Sequence, residues 1–359
     1  MPLTASISAV ASAFPPRAYT QAEVGEILGI DNPVALRLLR SPHIQRRHLF
    51  LPERDSSTGR IRDENPLDLQ RKFRDGALDI GGRAVRAALG GASLAPSDID
   101  YLMCITTTGF MVPGVSSLLS RELRCRTDLS RADVVGMGCN AGLNGLNLVV
   151  QWAQAHPERT ALLVCLEINS AMYHVDDTPR TGIVNSLFGD GAVAAVVSAR
   201  SGRLGEPGTP RPFVKDFESF CVPEHWDAMR FDWEPAASKW SFYLSRDIHR
   251  VVGGNVDKPV DRLLRRNSLS RRSIRHWVIH TGGGAVIDAI RQTLGLDEHT
   301  VRHTRSVLRD YGNISSGSFL VSLERLLAEG SVADGDAGVM ITMGPGAQIE
   351  TALLEFRSA

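Results

Sequence analysis

Cys139 stands in the segment whose residue types most clearly indicate chemistry. It follows an apolar, strand-like run and opens a helical pattern, with Gly138 and Gly142 on either side. Glycines leave room for close backbone approach. A helix N-terminus and a nearby imidazolium can lower the pKa of a cysteine from about 8.5 to roughly 3.5–7.5. We therefore predict that Cys139 is a reactive nucleophile, and that the other four cysteines are inert, mainly as small buried hydrophobes.

Two later segments offer partners for such a nucleophile. His280 ends the apolar run Trp277-Val278-Ile279 and precedes a run of glycines, and Asn313 lies in Tyr311-Gly312-Asn313 before another helical pattern. A Cys, a His and an Asn at strand or helix ends indicate acyl transfer, in which one donor to a developing oxyanion contributes about 2.7–4 kcal/mol. Taken separately, the His280 segment could be a phosphate-binding turn and the Asn313 segment an ordinary turn.

The remaining chemistry-bearing residues form no recognisable site. Glu53, Asp55, Asp63 and Glu64 are scattered carboxylates, which we interpret as a solvated face. The sequence has no HExxH, Walker or EF-hand pattern, and no GxGxxG in the strand–turn–helix context of a dinucleotide site. Metal, ATP and NAD are therefore not expected.

Composition narrows the class of protein. The chain has 359 residues, 43% of them hydrophobic, with forty basic and forty acidic side chains. This balance lacks the charge excess of a nucleic-acid binder. Five cysteines without CxxC spacing argue against disulfides or a zinc site and favour a reducing cytoplasm. No apolar run approaches the roughly 18 residues of a membrane span, and no leader is recognisable, so we expect a soluble, unprocessed cytoplasmic protein.

Short apolar runs alternate with helical patterns, which predicts a layered α/β protein. The predicted strands are residues 4–11, 101–107, 133–137, 161–168, 192–198, 276–280, 337–343 and 348–356. The predicted helices are residues 21–28, 67–89, 115–123, 141–156, 246–252, 285–293 and 319–328. A stretch rich in Gly and Pro at 201–210 interrupts the alternation. It suggests two halves, 1–210 and 211–359, of a duplicated core.

With these segments in view, the chain resembles the type III polyketide synthases, the chalcone and stilbene synthase-like enzymes of the thiolase superfamily, over essentially its full length. The motifs that carry the resemblance are Gly138-Cys139-x-Ala141-Gly142, Leu187-Phe188-Gly189-Asp190-Gly191, His280 with its glycines, Tyr311-Gly312-Asn313-x-Ser315-Ser316, and Met343-Gly344-Pro345-Gly346, in which Met343 replaces the usual aromatic. The resemblance implies the α/β thiolase fold, with a duplicated five-layered α-β-α-β-α core. It places the nucleophile in 1–210 and the His and Asn in 211–359. It also implies a homodimer in which residues 107–113 help to close the neighbouring cavity.

The resemblance implies a role for each candidate residue. Cys139 carries the acyl chain, while His280 and Asn313 activate it, orient the thioester carbonyl and stabilise the enolate formed when malonyl-CoA loses CO2. Phe188 and Phe242 match the family's two gatekeeper aromatics between CoA tunnel and cavity, with ordinary core packing as the alternative. The other implied substrate contacts are Thr107, Asn169, Met172, Val184 and Ser315.

Basic residues near the N-terminus fall where the family places side chains against the CoA phosphates. These are Arg40, Arg46 and Arg47, with a solvated charge cluster as the alternative. Ala285, after the glycine run, is assigned to the same CoA site. CoA thioesters are substrates, so the resemblance implies no cofactor.

The cavity positions depart from the chalcone-forming pattern. Val112 stands where a methionine is usual, and Asn169, Met172 and Val184 stand where smaller residues are typical. More side-chain volume predicts a smaller pocket, suited to a small starter such as malonyl or acetyl.

Two strings resemble one bacterial subgroup, the 3,5-dihydroxyphenylacetyl-CoA synthases, which supply a glycopeptide-antibiotic building block. They are the Gly-Cys-Asn-Ala-Gly-Leu-Asn string at 138–144 and the Thr-Thr-Thr-Gly-Phe run at 106–110. In that subgroup four malonyl-CoA units form a tetraketide that is cyclised while the CoA thioester survives.

Three alternatives remain. Another bacterial type III enzyme would make a tetrahydroxynaphthalene, an alkylresorcinol or a pyrone. A ketoacyl-ACP synthase III would share the Cys, His and Asn, but the Tyr-Gly-Asn-x-Ser-Ser and Gly-Pro-Gly motifs favour the polyketide enzymes. A non-catalytic subunit is disfavoured because the nucleophile and both partners are present.

Overall fold

The computed structural model of the chain describes residues 4–52, 56–57, 61, 64–199 and 209–358. The predicted connection at 201–210, apart from Thr209 and Pro210, lies outside these ranges, as do Glu53, Asp55 and Asp63.

The strands agree with the predicted ones at most positions and add several that the sequence did not indicate. They are β1 Ser6–Ala13, β2 Ala18–Thr20, β3 Arg46–His48, β4 Tyr101–Thr106, β5 Ser130–Val135, β6 Thr160–Glu167, β7 Gly191–Ser198, β8 Arg211–Cys221, β9 Met229–Glu234, β10 Lys239–Leu244, β11 His276–Ile279, β12 Ala337–Gly344 and β13 Gln348–Arg357.

The helices likewise include all of the predicted ones. They are α1 Gln21–Leu28, α2 Pro33–Leu39, α3 Pro66–Gly91, α4 Val115–Glu122, α5 Ala141–Ala155, α6 Pro179–Leu187, α7 Ile248–Gly253, α8 Asp257–Arg266, α9 Gly284–Leu294, α10 Arg302–Tyr311 and α11 Ser318–Glu329. None of the helices in the described ranges has the length and apolar character needed to cross a membrane.

One mixed sheet runs through the molecule in the order β11-β12-β13-β8-β1-β7-β6-β4-β5. The run β4-β6-β7-β1 and the run β11-β12-β13-β8 repeat one pattern, a parallel pair followed by two antiparallel pairs. They meet between β1 and β8, where Ser6 pairs with Phe213. This repeat is the duplication that the sequence predicted. The boundary at residue 210 stays a prediction.

The layers follow from the two faces of each strand. On β6, Leu163 and Cys165 face α5 and α11, whereas Leu162 and Val164 face α3. A strand covered by helices on both sides reads as a continuous apolar run, as β6 does. In the second half, Met340 of β12 joins the same central cluster as α5 and α11, while its neighbours face α8 and α9. The order is therefore helix, sheet, central helix pair, sheet, helix, as predicted.

Candidate active site

Cys139 lies in the turn between β5 and α5, and the geometry of the turn requires its glycines. Gly138 has a φ of +82°, and a Cβ there would lie 2.3 Å from Cδ of Pro345. A Cβ on Gly142 would lie 2.0 Å from the carbonyl oxygen of Ser316. These approaches press the turn against the Pro345 loop and the start of α11. Cys139 is 9% exposed.

Asn313 and Ser315 are brought to the thiol from the other half of the chain. The Sγ of Cys139 and the Oγ of Ser315 lie 3.4 Å apart and share a hydrogen bond. The side chain of Asn313 also lies beside this thiol, where its polar amide opposes the rise in the pKa of Cys139. Its Oδ1 accepts from the Ser315 N–H at 2.8 Å, which fixes the amide orientation. The Asn thus has a donor beside the sulfur, where an acyl oxygen would lie.

His280 follows the last residue of β11 and is 2% exposed. Its Nδ1 shares a hydrogen bond with the Oγ of Ser318, the first residue of α11. The same Oγ accepts the Thr281 N–H at 3.3 Å. Ser318 therefore holds the orientation of the imidazole and leaves Nε2 for chemistry.

Burial determines the protonation states of Cys139 and His280. Burial lowers the pKa of His280 to about 3. Burial also raises the pKa of the Cys139 thiol to about 12, with hydrogen bonds from Ser315 and Asn313 opposing the rise and the charge of Glu167 adding to it. The prediction that a helix N-terminus and an imidazolium lower the pKa of Cys139 is therefore wrong. The resting pair is a neutral thiol and a neutral imidazole, so the thiolate forms only as His280 takes the proton.

Glu167 is a buried carboxylate under the site that the sequence did not indicate. It accepts the backbone N–H of Thr107 at 2.9 Å, the hydroxyl of Thr108 at 2.9 Å and the hydroxyl of Ser316 at 2.6 Å. Thr107 in turn accepts the N–H of Gly138 at 2.9 Å. The network ties the ends of β4 and β6 to both catalytic loops. The only sign of Glu167 in the sequence is its position as an acidic residue at the end of an apolar strand.

The predicted substrate residues meet in one cavity. Those that line it are Thr107, Cys139, Asn169, Met172, Val184, Phe188, Phe242 and Ser315. The cavity is also lined by Gly138 and Pro345, which belong to the predicted motifs, and by three residues that the sequence did not indicate, Thr108, Tyr173 and Phe231. Phe231 lies on the unpredicted β9–β10 hairpin, opposite Phe242.

Aromatic rings form one wall of this cavity. The Phe188 and Phe242 centroids lie 5.7 Å apart with an edge-to-face angle of 81°, and Phe231 lies 5.1 Å from Phe242. Edge-to-face contact adds to the gain from burial. Both predicted gatekeepers are thus adjacent at the cavity wall, and Phe242 also packs against the core of the second half.

The residues predicted to bind CoA differ in their exposure to solvent. Arg40 and Ala285 are exposed, and the Arg46 side chain is 57% exposed with Nη2 3.8 Å from Asp310. Arg47 is 0% exposed and bonds to buried groups, so it does not reach a phosphate at the surface. The assignment of Arg47 to CoA is corrected accordingly. No cluster of His, Cys, Asp or Glu in the described part of the chain could hold a metal ion.

Two family models match the sequence. The model for the C-terminal domain of chalcone and stilbene synthases matches residues 234–357, and the model for FAE1/type III polyketide synthase-like proteins matches residues 61–206.

Curated proteins and solved structures that are similar to this chain belong to the same family as these two models. A 3,5-dihydroxyphenylacetyl-CoA synthase of Amycolatopsis balhimycina is 46% identical over 97% of this chain and 92% of its own length. The synthase of the same name from Streptomyces toyocaensis is also 46% identical, over 98% and 90%. The crystal structure of the 1,3,6,8-tetrahydroxynaphthalene synthase of Streptomyces coelicolor A3(2) matches with a TM-score of 0.88 at 26% identity, over 99% of this chain and 100% of that one. The chain belongs to the type III polyketide synthase family, and the predicted thiolase fold and acyltransferase class are confirmed.

Proposed function

We propose that this enzyme condenses malonyl-CoA units on Cys139 and cyclises the chain, giving 3,5-dihydroxyphenylacetyl-CoA from four units. The observation that carries the proposal is the Cys139 thiol beside Ser315 and Asn313 at the wall of an aromatic-lined cavity. The 46% identity to synthases of that name supports the product.

The loading step follows from the neutral Cys139–His280 pair. The thiol attacks the thioester carbonyl of the starter, and its proton passes to Nε2 of His280. The bond from the carbonyl carbon to the CoA sulfur then breaks, and the departing CoA thiolate takes the proton from His280. The starter is left as a thioester on Cys139.

Extension needs stabilisation of an oxyanion more than it needs a base. As a second malonyl-CoA loses CO2, the electron pair of the broken C–C bond becomes an enolate. Its oxygen is held by the Asn313 amide and by neutral His280 in the tautomer that carries its proton on Nε2, with Nδ1 then accepting from the Ser318 hydroxyl. The enolate carbon attacks the Cys139 thioester, and the Cys139 thiolate leaves. Transfer of the lengthened chain back to Cys139 permits the next round.

The cavity favours a small starter. Asn169, Met172 and Val184 line the cavity at positions where the family has smaller residues, and this added side-chain volume narrows the space beside Cys139. The Asn169 amide is held in place because its Nδ2 donates to the carbonyl of Gly189. We therefore propose malonyl-CoA as both starter and extender.

An apolar surface supports the predicted homodimer. Phe110 is 78% exposed and Val112 85% exposed, on the segment expected at the subunit interface. In the described chain β5 is the edge strand of the large sheet, and it exposes Val135, while Leu148 of α5 is also exposed. An open edge beside exposed apolar side chains is a site for pairing. A second copy would cover it and place residues 107–113 against the neighbouring cavity.

CoA is proposed to bind near Arg46 and Ala285, outside the aromatic wall. We propose that the enzyme works in the cytoplasm without a cofactor. Support comes from five free cysteines and from chemistry that the protein side chains complete.

Incubation with [13C]malonyl-CoA and mass spectrometry of the products tests the proposal. A tetraketide retaining CoA, or its acid, is expected from malonyl-CoA alone. Cys139→Ala should give none, whereas the control Cys125→Ala should give normal amounts. A naphthalene, alkylresorcinol or pyrone would replace the proposed product, and a requirement for malonyl-ACP would indicate a ketoacyl-ACP synthase III. Strict dependence on an aromatic starter would contradict the proposed starter.

A further inference from the structure

The C-terminal end of α6 carries the backbone of Phe188 and receives an unusual set of hydrogen bonds. The last carbonyls of a helix have no partner within it. Here four consecutive carbonyls accept from other elements: Ser186 from Gln21 Nε2 at 2.7 Å, Leu187 from Asn313 N–H at 2.9 Å, Phe188 from Arg47 Nη1 at 2.7 Å and the Tyr173 hydroxyl at 2.8 Å, and Gly189 from Asn169 Nδ2 at 2.5 Å. The end of α6 is thus fixed by residues from four parts of the chain.

Arg47 is the charged group at the centre of this set. Besides the Phe188 carbonyl, its Nε donates to Gln21 Oε1 at 2.8 Å and its Nη1 to the Tyr173 hydroxyl at 2.9 Å. It is fully buried and forms no salt bridge with a carboxylate of the described ranges, although the charge of the buried Asp190 acts to raise the pKa of Arg47. A buried cation without an ion pair is costly. The negative end of the α6 dipole offsets that cost, since the guanidinium lies against its last carbonyls.

The stem of Arg47 also contacts the loop that holds Asn313. A Cβ on Gly312 would lie 2.9 Å from Cγ and Cδ of Arg47, and a Cβ on Gly189 would lie 3.6 Å from Cβ of Arg47. These two glycines belong to segments that pair directly, because the Gly189 N–H donates to the Asn313 carbonyl at 3.0 Å. The arginine therefore packs where the gatekeeper backbone and the Asn313 loop meet.

We propose that Arg47 is a positioning residue of the active site. By fixing the backbone of residues 187–189, it sets the ring of Phe188 against Phe242 and the amide of Asn313 beside Cys139. The inference rests on the proposed function, in which Asn313 holds the enolate oxygen. It replaces the assignment of Arg47 to the CoA phosphates.

The test separates positioning from CoA binding by kinetics. Arg47→Met keeps the aliphatic stem of the side chain and removes the charge and its hydrogen-bond donors. Gln21→Met removes one hydrogen-bond partner of the guanidinium, and it is the variant to measure if Arg47→Met does not fold. For CO2 release from malonyl-CoA we expect kcat to fall about 10-fold or more in Arg47→Met, and less in Gln21→Met, with KM within about threefold of wild type. Leu263→Ala, buried in α8, is the control for a general loss of stability.

Two kinetic outcomes would overturn the inference. A raised KM with unchanged kcat would mean that Arg47 binds CoA. A fall in kcat no greater than that of Leu263→Ala, at the same loss of Tm, would mean a purely structural role. An inactive wild type would instead refute the proposed function. In that case a crystal structure of Arg47→Met decides, because unchanged positions of residues 187–189 and Asn313 would overturn the inference and displaced ones would support it.

Discussion

The buried neutral imidazole of His280 predicts a specific loss of stability in acid. Burial lowers its pKa in the folded protein to about 3, from about 6.5 in the unfolded chain. Between about pH 6.5 and pH 3, His280 therefore binds a proton in the unfolded state but not in the folded state. The contribution is fully present above pH 6.5 and is lost as the pH falls toward 3. The loss amounts to about 2 kcal/mol at pH 5 and about 4 kcal/mol at pH 3, and it approaches about 5 kcal/mol only below pH 3.

Urea unfolding of wild type and His280→Gln between pH 8 and pH 5, at one protein concentration, measures this effect. The variant removes the titrating ring and keeps a polar group near Ser318. We expect the difference in free energy of unfolding between the two proteins to shift by about 2 kcal/mol in favour of the variant at pH 5. Glu167 and Asp190, whose carboxyl pKa values burial raises, titrate in both proteins and cancel.

Leu263→Ala controls for destabilisation alone, since it removes no titrating group and its difference from wild type should stay constant with pH. A difference between wild type and His280→Gln that also stayed constant from pH 8 to pH 5 would refute the reasoning. His280 would then titrate in the folded protein as it does in the unfolded chain, and burial would not hold it neutral.

Three further predictions concern the donor, the turn and the assembly. Asn313→Ala should slow CO2 release from malonyl-CoA about 100-fold or more through loss of an oxyanion donor, whereas Asn267→Ala should not; equal rates would exclude the role. Gly142→Ala, whose Cβ would lie 2.0 Å from the Ser316 carbonyl, should cost about 1–3 kcal/mol and most of the turnover, while Gly90→Ala, with open space around it, should be tolerated. Sedimentation equilibrium should give about twice the chain mass of 39.1 kDa, and an active monomer would contradict the dimer.

The turn that holds Cys139 could be located from the sequence because its glycines are required by close contacts. Gly138 and Gly142 sit where any side chain would meet Pro345 or Ser316. The protonation of Cys139 could not be predicted, because it depends on burial by elements distant in sequence. The role of Glu167 could not be predicted for a similar reason. Its hydrogen-bond donors come from the segment that follows β4 and from the segment before α11, which are both distant from it in sequence.

The sequence did not predict some helices and strands whose local pattern of apolar and polar residues is mixed. α8 contains Pro259, which is tolerated because the first turn of a helix has no partner for its N–H. β8 alternates, but Lys215 and Asp216 interrupt its apolar positions, and a register shift follows at its pairing with β13. The β9–β10 hairpin depends on cross-strand aromatic contacts that only the folded chain displays. The duplicated core was predicted, but its strand order was not, since the two halves share topology more than sequence.

The central claim is that Cys139 carries the growing chain, and covalent trapping tests it most directly. The enzyme is mixed briefly with [13C]malonyl-CoA, quenched and digested in acid, and the cysteine peptides are analysed by mass spectrometry. We expect a labelled acyl group on the Cys139 peptide that appears before free product and disappears into product when unlabelled malonyl-CoA is added. Product formed without acyl on Cys139, or a label on Cys165 or another cysteine instead, would contradict the account.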